Sequence, residues 1–429
     1  MVKQAVIIAG GFGSRLVAGG INVPKPLLKV GGKSVIEWQI INLEREGISE
    51  IIFLLGQNAQ EIINYIKTLK TRILCSFIVE ESPLGTGGAL LHAINFLDDI
   101  FLVLYGDLLM DCSLRNLISD SEKSEFGSIA LRPSDHPLDS DLVQISIENE
   151  ISDIFLKPNF FESNRRNLAM TGLMCLKKKL LVDMRNVQCF SKIDLEKNLI
   201  KPIVNSRGGL RPSKLNGFIK DIGTIVRLEQ AEELWKTRLH WQEPCKAVIL
   251  DRDGVVNYFS GDIKDINQIR IVEDLASSVE ILKREKFKIF VATNQPGIAK
   301  GYLSWDELSL INGFVDMELS KKGLFFDGWY VCPHHPEKGF SGEILKLKFD
   351  CLCRKPNAGL VRQIEEDFQL DRKKSWFIGD QVTDFKLAVS VGLSFIQIGN
   401  FFEAPFPVPK FDKLETACEY IVNHDKLEE

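Results

Sequence analysis

Asp251 and Asp253 stand two residues apart in the run Asp251-Arg252-Asp253-Gly254. Carboxylates so spaced at the end of a strand can divide one reaction between them. One can be a nucleophile and metal ligand, while the other can protonate a leaving oxygen and then activate water. An ordinary acidic turn is the plainer alternative. Thr293-Asn294-Gln295, Arg354-Lys355-Pro356 and Gly379-Asp380 follow in order and add a hydroxyl, amides, cations and a third carboxylate. Cys332-Pro333-His334-His335 and Cys351-Leu352-Cys353 form a second set. Three thiolates with one imidazole, from His334 or His335, make a Cys₃His tetrahedral zinc site, closed and therefore structural. Cysteines packed as small hydrophobes are the alternative there.

The N-terminal half carries a different chemistry. Gly10-Gly11-Phe12-Gly13-Ser14-Arg15 follows a short apolar run. Glycines let the backbone approach an anion, successive N–H groups can cradle phosphates, and Arg15 adds a cation. A dinucleotide fits poorly, because Leu16 occupies the place of the third glycine of that fingerprint. Lys25 lies between Pro24 and Pro26, a rigid cation suited to placing phosphate.

These groups need a scaffold. The run before Gly10 and the run 247–250 before Asp251 are short, rich in β-branched residues and unalternating, as are 51–55, 100–104, 289–292 and 376–378. Such runs are expected of strands buried on both faces of a parallel sheet. Helical spacing at 34–47, 61–70, 276–286 and 358–368 alternates with them, so the fold class is α/β. A closing helix over 229–241 followed by Pro244 puts the boundary within 235–246. Two domains are expected, 1–240 and 241–429.

Composition agrees. A length of 429 residues suits two or three domains at about 100–200 residues each. The chain is 45% hydrophobic and 26% charged with a net charge of −5, which disfavours disorder and a nucleic-acid binder relying on counterion release. There is no apolar run long enough to span a membrane, and the N-terminal run is too short for a signal peptide. Nine cysteines, most of them scattered, do not form a disulfide framework. A cytoplasmic location is expected, and the sequence fixes no oligomeric state.

Residues 9–16 with Pro24-Lys25-Pro26-Leu27 resemble the signature of sugar-1-phosphate nucleotidyltransferases. Further matches follow in order over about residues 3–235. Pro83-Leu84-Gly85-Thr86-Gly87-Gly88 resembles the nucleotide-base loop, and Tyr105-Gly106-Asp107 the first metal aspartate. Lys157-Pro158 resembles the sugar-phosphate lysine, Thr171-Gly172-Leu173 the sugar-contact glycine, and Lys220-Asp221 the second metal aspartate. The glutamate usual before that lysine is Leu156 here. The resemblance implies a Rossmann-like, GT-A-like three-layer domain. It implies Mg²⁺ on Asp107 and Asp221, the nucleoside triphosphate on Gly10, Gly11, Gly13, Arg15, Lys25, Gly85 and Thr86, and the sugar phosphate on Lys157 and Gly172. A sugar-1-phosphate oxygen would attack the α-phosphorus, with Arg15 and Lys25 stabilising the charge.

The second half, over about residues 246–400, resembles the haloacid dehalogenase (HAD) phosphatases. Within them it is similar to the branch that holds the D-glycero-D-manno-heptose 1,7-bisphosphate and histidinol-phosphate phosphatases. That resemblance implies a second three-layer domain with a zinc-stapled loop. Asp251 would be the nucleophile and Asp253 the acid/base. Arg252, Thr293, Asn294, Gln295, Arg354 and Lys355 would bind substrate. Asp251, Asp253 (through its backbone) and Asp380 would hold Mg²⁺, with Asp384 in support. Cys332, His334, Cys351 and Cys353 would hold Zn²⁺. The stretch 338–348 is long for the zinc loop. The first half is most similar to the guanylyltransferases of heptose 1-phosphate. The fusion therefore implies consecutive steps: loss of the 7-phosphate, then transfer of GMP from GTP with release of pyrophosphate. The product would be a nucleotide-activated heptose for surface polysaccharide such as lipopolysaccharide. Mannose or glucose 1-phosphate, histidinol phosphate, and a non-catalytic half are the alternatives.

Overall fold

The computed structural model describes residues 2–11, 23–184, 192–215, 217–236, 244–259, 261 and 263–428. The chain divides into two compact units. The first comprises Met1–Arg132, Val143–Leu156 and Met170–Gln242, and the second Pro133–Leu142, Lys157–Ala169 and Glu243–Glu429. Among the described residues no helix is long and apolar enough to cross a membrane.

The first unit is built on β1 (Gln4–Ala9), α1 (Val35–Arg45), β2 (Glu50–Leu55), β3 (Leu74–Val79), α2 (Gly85–His92) and β4 (Ile100–Tyr105). β4, β1, β2 and β3 are parallel neighbours in that order. The strand Ala169–Lys177 then joins β4 antiparallel. The sheet is therefore mixed, whereas apolar runs alone suggest a wholly parallel one. Alternation along the strands feeds two cores. Ala5, Ile7, Ile51, Phe53, Leu102 and Leu104 pack on one side with Ile36, Ile40 and Leu43 of α1. Val6, Ile8, Ile52, Leu54, Phe101 and Val103 pack on the other with Leu90 of α2. Two cores separated by one sheet make the three-layer arrangement. A separate antiparallel ribbon pairs Leu108–Cys112 with Gly217–Asp221. The closing helix runs over Ile225–Lys236, and its inward stripe of Ile225, Leu228, Ala231 and Trp235 begins at its first residue, ahead of the expected start at 229. Thr224 sets that start: its hydroxyl oxygen accepts from the Arg227 N–H at 3.3 Å, as an N-cap does.

The second unit holds a six-stranded sheet. Its members include β5 (Ala247–Leu250), β6 (Lys288–Asn294), β7 (Gly328–Cys332), β8 (Trp376–Gly379) and β9 (Ser394–Ile398), all parallel, in the order β7-β6-β5-β8-β9. Central strands of parallel sheets are covered on both faces, and all four residues of β5 are buried. Helix α3 (Trp305–Ser320) opens with a capping box between Ser304 and Glu307. Within this unit, Asp316 of α3 accepts from Arg166 Nε at 2.7 Å and from the Asn167 N–H at 3.0 Å. Those bonds tie 157–169 to the rest of the unit.

Candidate active sites

In the first unit the candidate groups gather where β1 and β4 end. Lys25 opens a short turn after Pro24, and its Nζ lies 2.9 Å from Asp107 Oδ2. Gly106 must be glycine, since a Cβ there would stand 2.8 Å from the Ala9 Cβ. Asp221 is in register with Leu108, and the Ile222 N–H donates to the Asp107 carbonyl at 3.0 Å. Ribbon pairing therefore sets side by side two aspartates 114 positions apart in sequence. Arg227 donates to Asp221 Oδ2 at 2.6 Å, so each carboxylate faces a cation. An oxygen-only donor pair suits Mg²⁺.

Around this centre, a side chain on Gly10 would meet Glu80, while a Cβ on Gly11 would meet none of the described residues within 4 Å. Gly13 and Arg15 lie outside the described residues. Gly85 has φ +78 and presses against the Ile193 carbonyl. Thr86 Oγ1 accepts from the Leu195 N–H at 2.8 Å, so the first turn of α2 braces 193–195. Gly172 has φ +80, and a Cβ there would lie 2.8 Å from the Tyr105 ring. Burial first, and then Glu196, push the Tyr105 phenol well above its usual range; Tyr105 donates its hydroxyl hydrogen to Glu196. Lys157 is exposed and belongs to the second unit, its N–H donating to Asp141 at 2.9 Å.

Sequence reasoning missed the groups that hold this turn. Gln39 is fully buried on α1, and its Nε2 donates to the carbonyls of Tyr105 and Leu108, both at 2.8 Å, flanking Asp107. A signal exists: Gln39 shares the helical stripe of Ile36, Ile40 and Leu43, where a polar residue needs a partner.

In the second unit every candidate sits at one edge of the sheet, where parallel α/β sheets bind ligands. Asp251 follows β5, Thr293-Asn294 ends β6, Cys332 ends β7 and Asp380 follows β8. A cleft there is lined by Asp251, Asp253, Phe259, Thr293, Arg354 and Lys355, among others. Lys355 Nζ bridges Asp251 Oδ1 and Asp384 Oδ1, both at 2.7 Å. Burial pushes the Asp251 carboxyl up to about 8 against the pull of Lys355, with Asp384 adding to the rise. Burial likewise lifts Asp380 to about 6. Burial opposes the Lys355 charge, yet Asp251 and Asp384 outweigh it and raise its pKa. One ligand oxygen each of Asp251, Asp380 and Asp384 lies within 4.8 Å of the others. Asp380 Oδ1 is buried without a hydrogen-bond partner. A clustered carboxylate set with an orphaned oxygen fits a hard cation such as Mg²⁺. Gly254 (φ +95) is required beside it, since a Cβ would strike Asp380 Oδ2 at 2.4 Å.

Several residues expected to bind substrate hold other protein groups. Gln295 Nε2 donates to Asp253 Oδ2 at 2.8 Å and to Thr293 Oγ1 at 2.9 Å. Asn294 is bonded to the Lys355 backbone. Arg252 is 1% exposed and turned onto Asp253. Arg354 lines the cleft, with Nη1 on the His334 carbonyl at 3.3 Å.

The sulfur ligands also converge. Cys332 Sγ and Cys351 Sγ are 3.5 Å apart, Cys351 Sγ and Cys353 Sγ 3.4 Å, and His334 Nδ1 is 3.2 Å from Cys353 Sγ. A tetrahedron of zinc ligands has edges of roughly 3.5–3.8 Å, so the four atoms fit that ion. His335 instead turns Nδ1 toward the Glu337 carbonyl. Hydrogen bonding from Cys332 leads in lowering Cys353 to about 5, favouring the thiolate a metal needs.

Residues 4–237 match the nucleotidyl transferase family, and residues 352–400 a HAD-hydrolase-like family. A phosphatase of Haemophilus influenzae named for D-glycero-β-D-manno-heptose 1,7-bisphosphate is 34% identical over 145 residues, 34% of this chain and 76% of its own length. Among solved structures, HddC from Yersinia pseudotuberculosis is similar at 26% identity and TM-score 0.47, over 55% of this chain and 100% of its own. A D,D-heptose 1,7-bisphosphate phosphatase of B. bronchiseptica in complex with magnesium and phosphate is similar at 26% and 0.37, over 42% and 99%. The chain belongs to the nucleotidyl transferase family through its first half and to the family of these HAD-type phosphatases through its second. It is a bifunctional enzyme that joins the two activities in one polypeptide.

Proposed function

We propose that the second half removes the 7-phosphate of D-glycero-D-manno-heptose 1,7-bisphosphate and that the first half transfers GMP from GTP to the resulting heptose 1-phosphate. The observation that carries the first step is the Asp251–Lys355 pair beside the Cys₃His cluster, in a chain that covers 76% of a relative named for that bisphosphate. The guanylyl step is supported by the sequence resemblance of residues 9–16 and 24–27, and by the chemical order: loss of the 7-phosphate leaves the sugar 1-phosphate that such a transferase needs.

An Asp251 carboxylate oxygen attacks phosphorus, and the bond from phosphorus to the sugar C7 oxygen breaks. Asp253 gives that oxygen its proton. Asp253 then takes a proton from water, whose oxygen attacks the phosphoaspartate, and inorganic phosphate leaves with Asp251 regenerated. Lys355 and Thr293 hold the phosphoryl oxygens. Mg²⁺, held by Asp251, Asp380 and the Asp253 backbone, would neutralise phosphoryl charge. Zn²⁺ on Cys332, His334, Cys351 and Cys353 would fix the loop that runs into Arg354 and Lys355. In the first half the C1 phosphate, oriented beside Gly172, attacks the α-phosphorus of GTP, and pyrophosphate leaves. Lys25 and Arg15 offset the charge on the triphosphate, which the glycine loop of Gly10, Gly11 and Gly13 seats together with the separate segment of Gly85 and Thr86. Asp107 and Asp221 would hold Mg²⁺, which when bound would offset negative charge on the phosphates. The eight described cysteines, none of them paired in a disulfide, are in keeping with a reducing, cytoplasmic setting.

The test is mass spectrometry of one mixture: the purified chain, Mg²⁺, the α or β bisphosphate, and all four nucleoside triphosphates. A GDP-heptose peak is expected. Heptose 1-phosphate without a nucleotide sugar overturns the transferase assignment. Unchanged bisphosphate overturns the phosphatase assignment, and histidinol phosphate is then the substrate to try.

A further inference from the structure

Arg252 ranks among the largest fully buried side chains of the molecule, at 1% exposure. A guanidinium that deep must be paired, because an uncompensated buried charge is strongly unfavourable. Its partners are specific. Nε donates to Asp253 Oδ1 at 3.1 Å, and Nη2 donates to Oδ1 and Oδ2, both at 2.9 Å. On its far side, Nη1 donates to Asn312 Oδ1 at 3.3 Å. Asn312 is 1% exposed and lies on α3 in the apolar stripe of Leu308, Ile311 and Val315. Arg252 therefore spans from a rigid helix to the adjacent carboxylate, with almost no surface left for a ligand.

Asp253 is held from two further directions, by Asn257 Nδ2 at 3.1 Å and Gln295 Nε2 at 2.8 Å. Its side chain keeps 19% exposure, toward the cleft. Every one of these neighbours donates to Asp253, so both carboxylate oxygens serve as acceptors.

We propose that Arg252 is a positioning residue: anchored on Asn312, it keeps the Asp253 carboxyl aimed at the cleft for the hydrolysis of the phosphoaspartate, and it does not bind the sugar phosphate itself. This rests on the reading of Asp253 as the proton-transfer group. In the step concerned, water loses a proton to Asp253, its oxygen bonds to phosphorus, and the bond from phosphorus to Asp251 breaks.

The full-length chain is tested with a sugar phosphate and with p-nitrophenyl phosphate, whose leaving group departs without a proton. Arg252→Met and Asn312→Leu should lower kcat on the sugar phosphate, by roughly 100-fold for Arg252→Met, with KM little changed. On p-nitrophenyl phosphate they should give a burst of about one nitrophenolate per chain followed by slow turnover, because dephosphorylation needs Asp253 whatever the leaving group. Asp253→Asn is the reference. If it bursts and Arg252→Met shows only a uniform loss without a burst, Arg252 is structural and the proposal is overturned. A raised KM with kcat kept would make Arg252 a substrate ligand and overturns it too. If Asp253→Asn itself shows no burst, the reading of Asp253 fails first. Should Arg252→Met not fold, Arg252→Lys and Asn312→Leu carry the same burst criterion.

Discussion

Asn294 and Lys355 clasp each other as neighbouring strands do. The Asn294 Nδ2 donates to the Lys355 carbonyl at 3.1 Å, and the Lys355 N–H donates to Asn294 Oδ1 at 2.9 Å. A side-chain amide thus replaces a strand partner, and the peptide of a cation that bridges Asp251 and Asp384 is fixed by the end of β6. Asn294→Ala would leave both backbone groups unpaired, at a cost of about 1–3 kcal/mol each where buried. Phosphatase kcat is expected to fall by roughly 10–100-fold with nucleotidyl transfer unchanged, as checked by assaying both reactions on one preparation.

The two chemistries should separate by mutation. Asp251→Asn is expected to abolish phosphate release and to spare nucleotide-sugar formation from supplied sugar 1-phosphate. Asp107→Ala, which removes the carboxylate facing Lys25, should do the reverse. Phosphatase turnover retained in Asp251→Asn would refute the nucleophile.

Lys355→Met should cost stability as well as activity. It strands two buried carboxylates, and removing one partner of a buried ion pair costs about 3–5 kcal/mol. Urea unfolding followed by a probe in the second unit measures this. An unchanged midpoint would mean that Asp251 and Asp384 find other partners.

Acid sensitivity has a named source away from the cleft. Asp327 is buried and accepts from Lys283 Nζ, from Lys288 Nζ at 2.9 Å and from the Ile289 N–H at 2.8 Å. Burial alone would raise its carboxyl pKa, but the two lysines overcome it and hold the pKa well below the usual range. A depressed folded pKa gives stability that is full above the unfolded value of about 3.9 and is lost as pH falls through the folded one. Asp327→Asn is expected to lose roughly 2–4 kcal/mol at neutral pH. The gap from the parent should narrow below about pH 4. A gap independent of pH would assign the loss to packing instead.

Metal removal should act on one reaction more than the other. Cys351 Sγ lies 3.5 Å from Cys332 Sγ and accepts from the Arg354 N–H at 3.2 Å, so the cluster and the cationic segment are joined. Cys351→Ser should lower bound zinc from about one equivalent and impair the phosphatase, while nucleotidyl transfer persists. Elemental analysis of the purified chain with both assays decides it. Active parent enzyme with less than half an equivalent of zinc would refute a structural zinc.

What the sequence made legible follows a physical line. Asp251, Asp253, Lys355 and Asp380 are readable because their chemistry requires those residue types after short apolar runs, and β5 and β8 deliver them to one edge. Cys332, His334, Cys351 and Cys353 are readable because few other uses fit such spacing; spacing alone leaves His334 and His335 open, the family resemblance favours His334, and His334 Nδ1 lies beside Cys353 Sγ while His335 turns to the Glu337 carbonyl. Residues that act on other residues were hidden. Arg252, Asn294 and Gln295 look like ligands in a string of letters, since nothing local says that an arginine will turn back on its own neighbour. Gln39 and Asn312 sit inside helical stripes, where polarity signals a partner without naming it. The mixed character of the first sheet escaped notice because the Ala169–Lys177 pairing is set by long-range register.

The sheet of the second unit has one further consequence. Asp251, Thr293, Cys332 and Asp380 leave it at one edge, while Lys288 and Ala247 enter at the other, near Asp327. Reactivity and durability are thus addressed by separate sets of positions. A protein engineer, or natural drift, can rework the entry edge for heat or acid tolerance and leave the exit edge untouched.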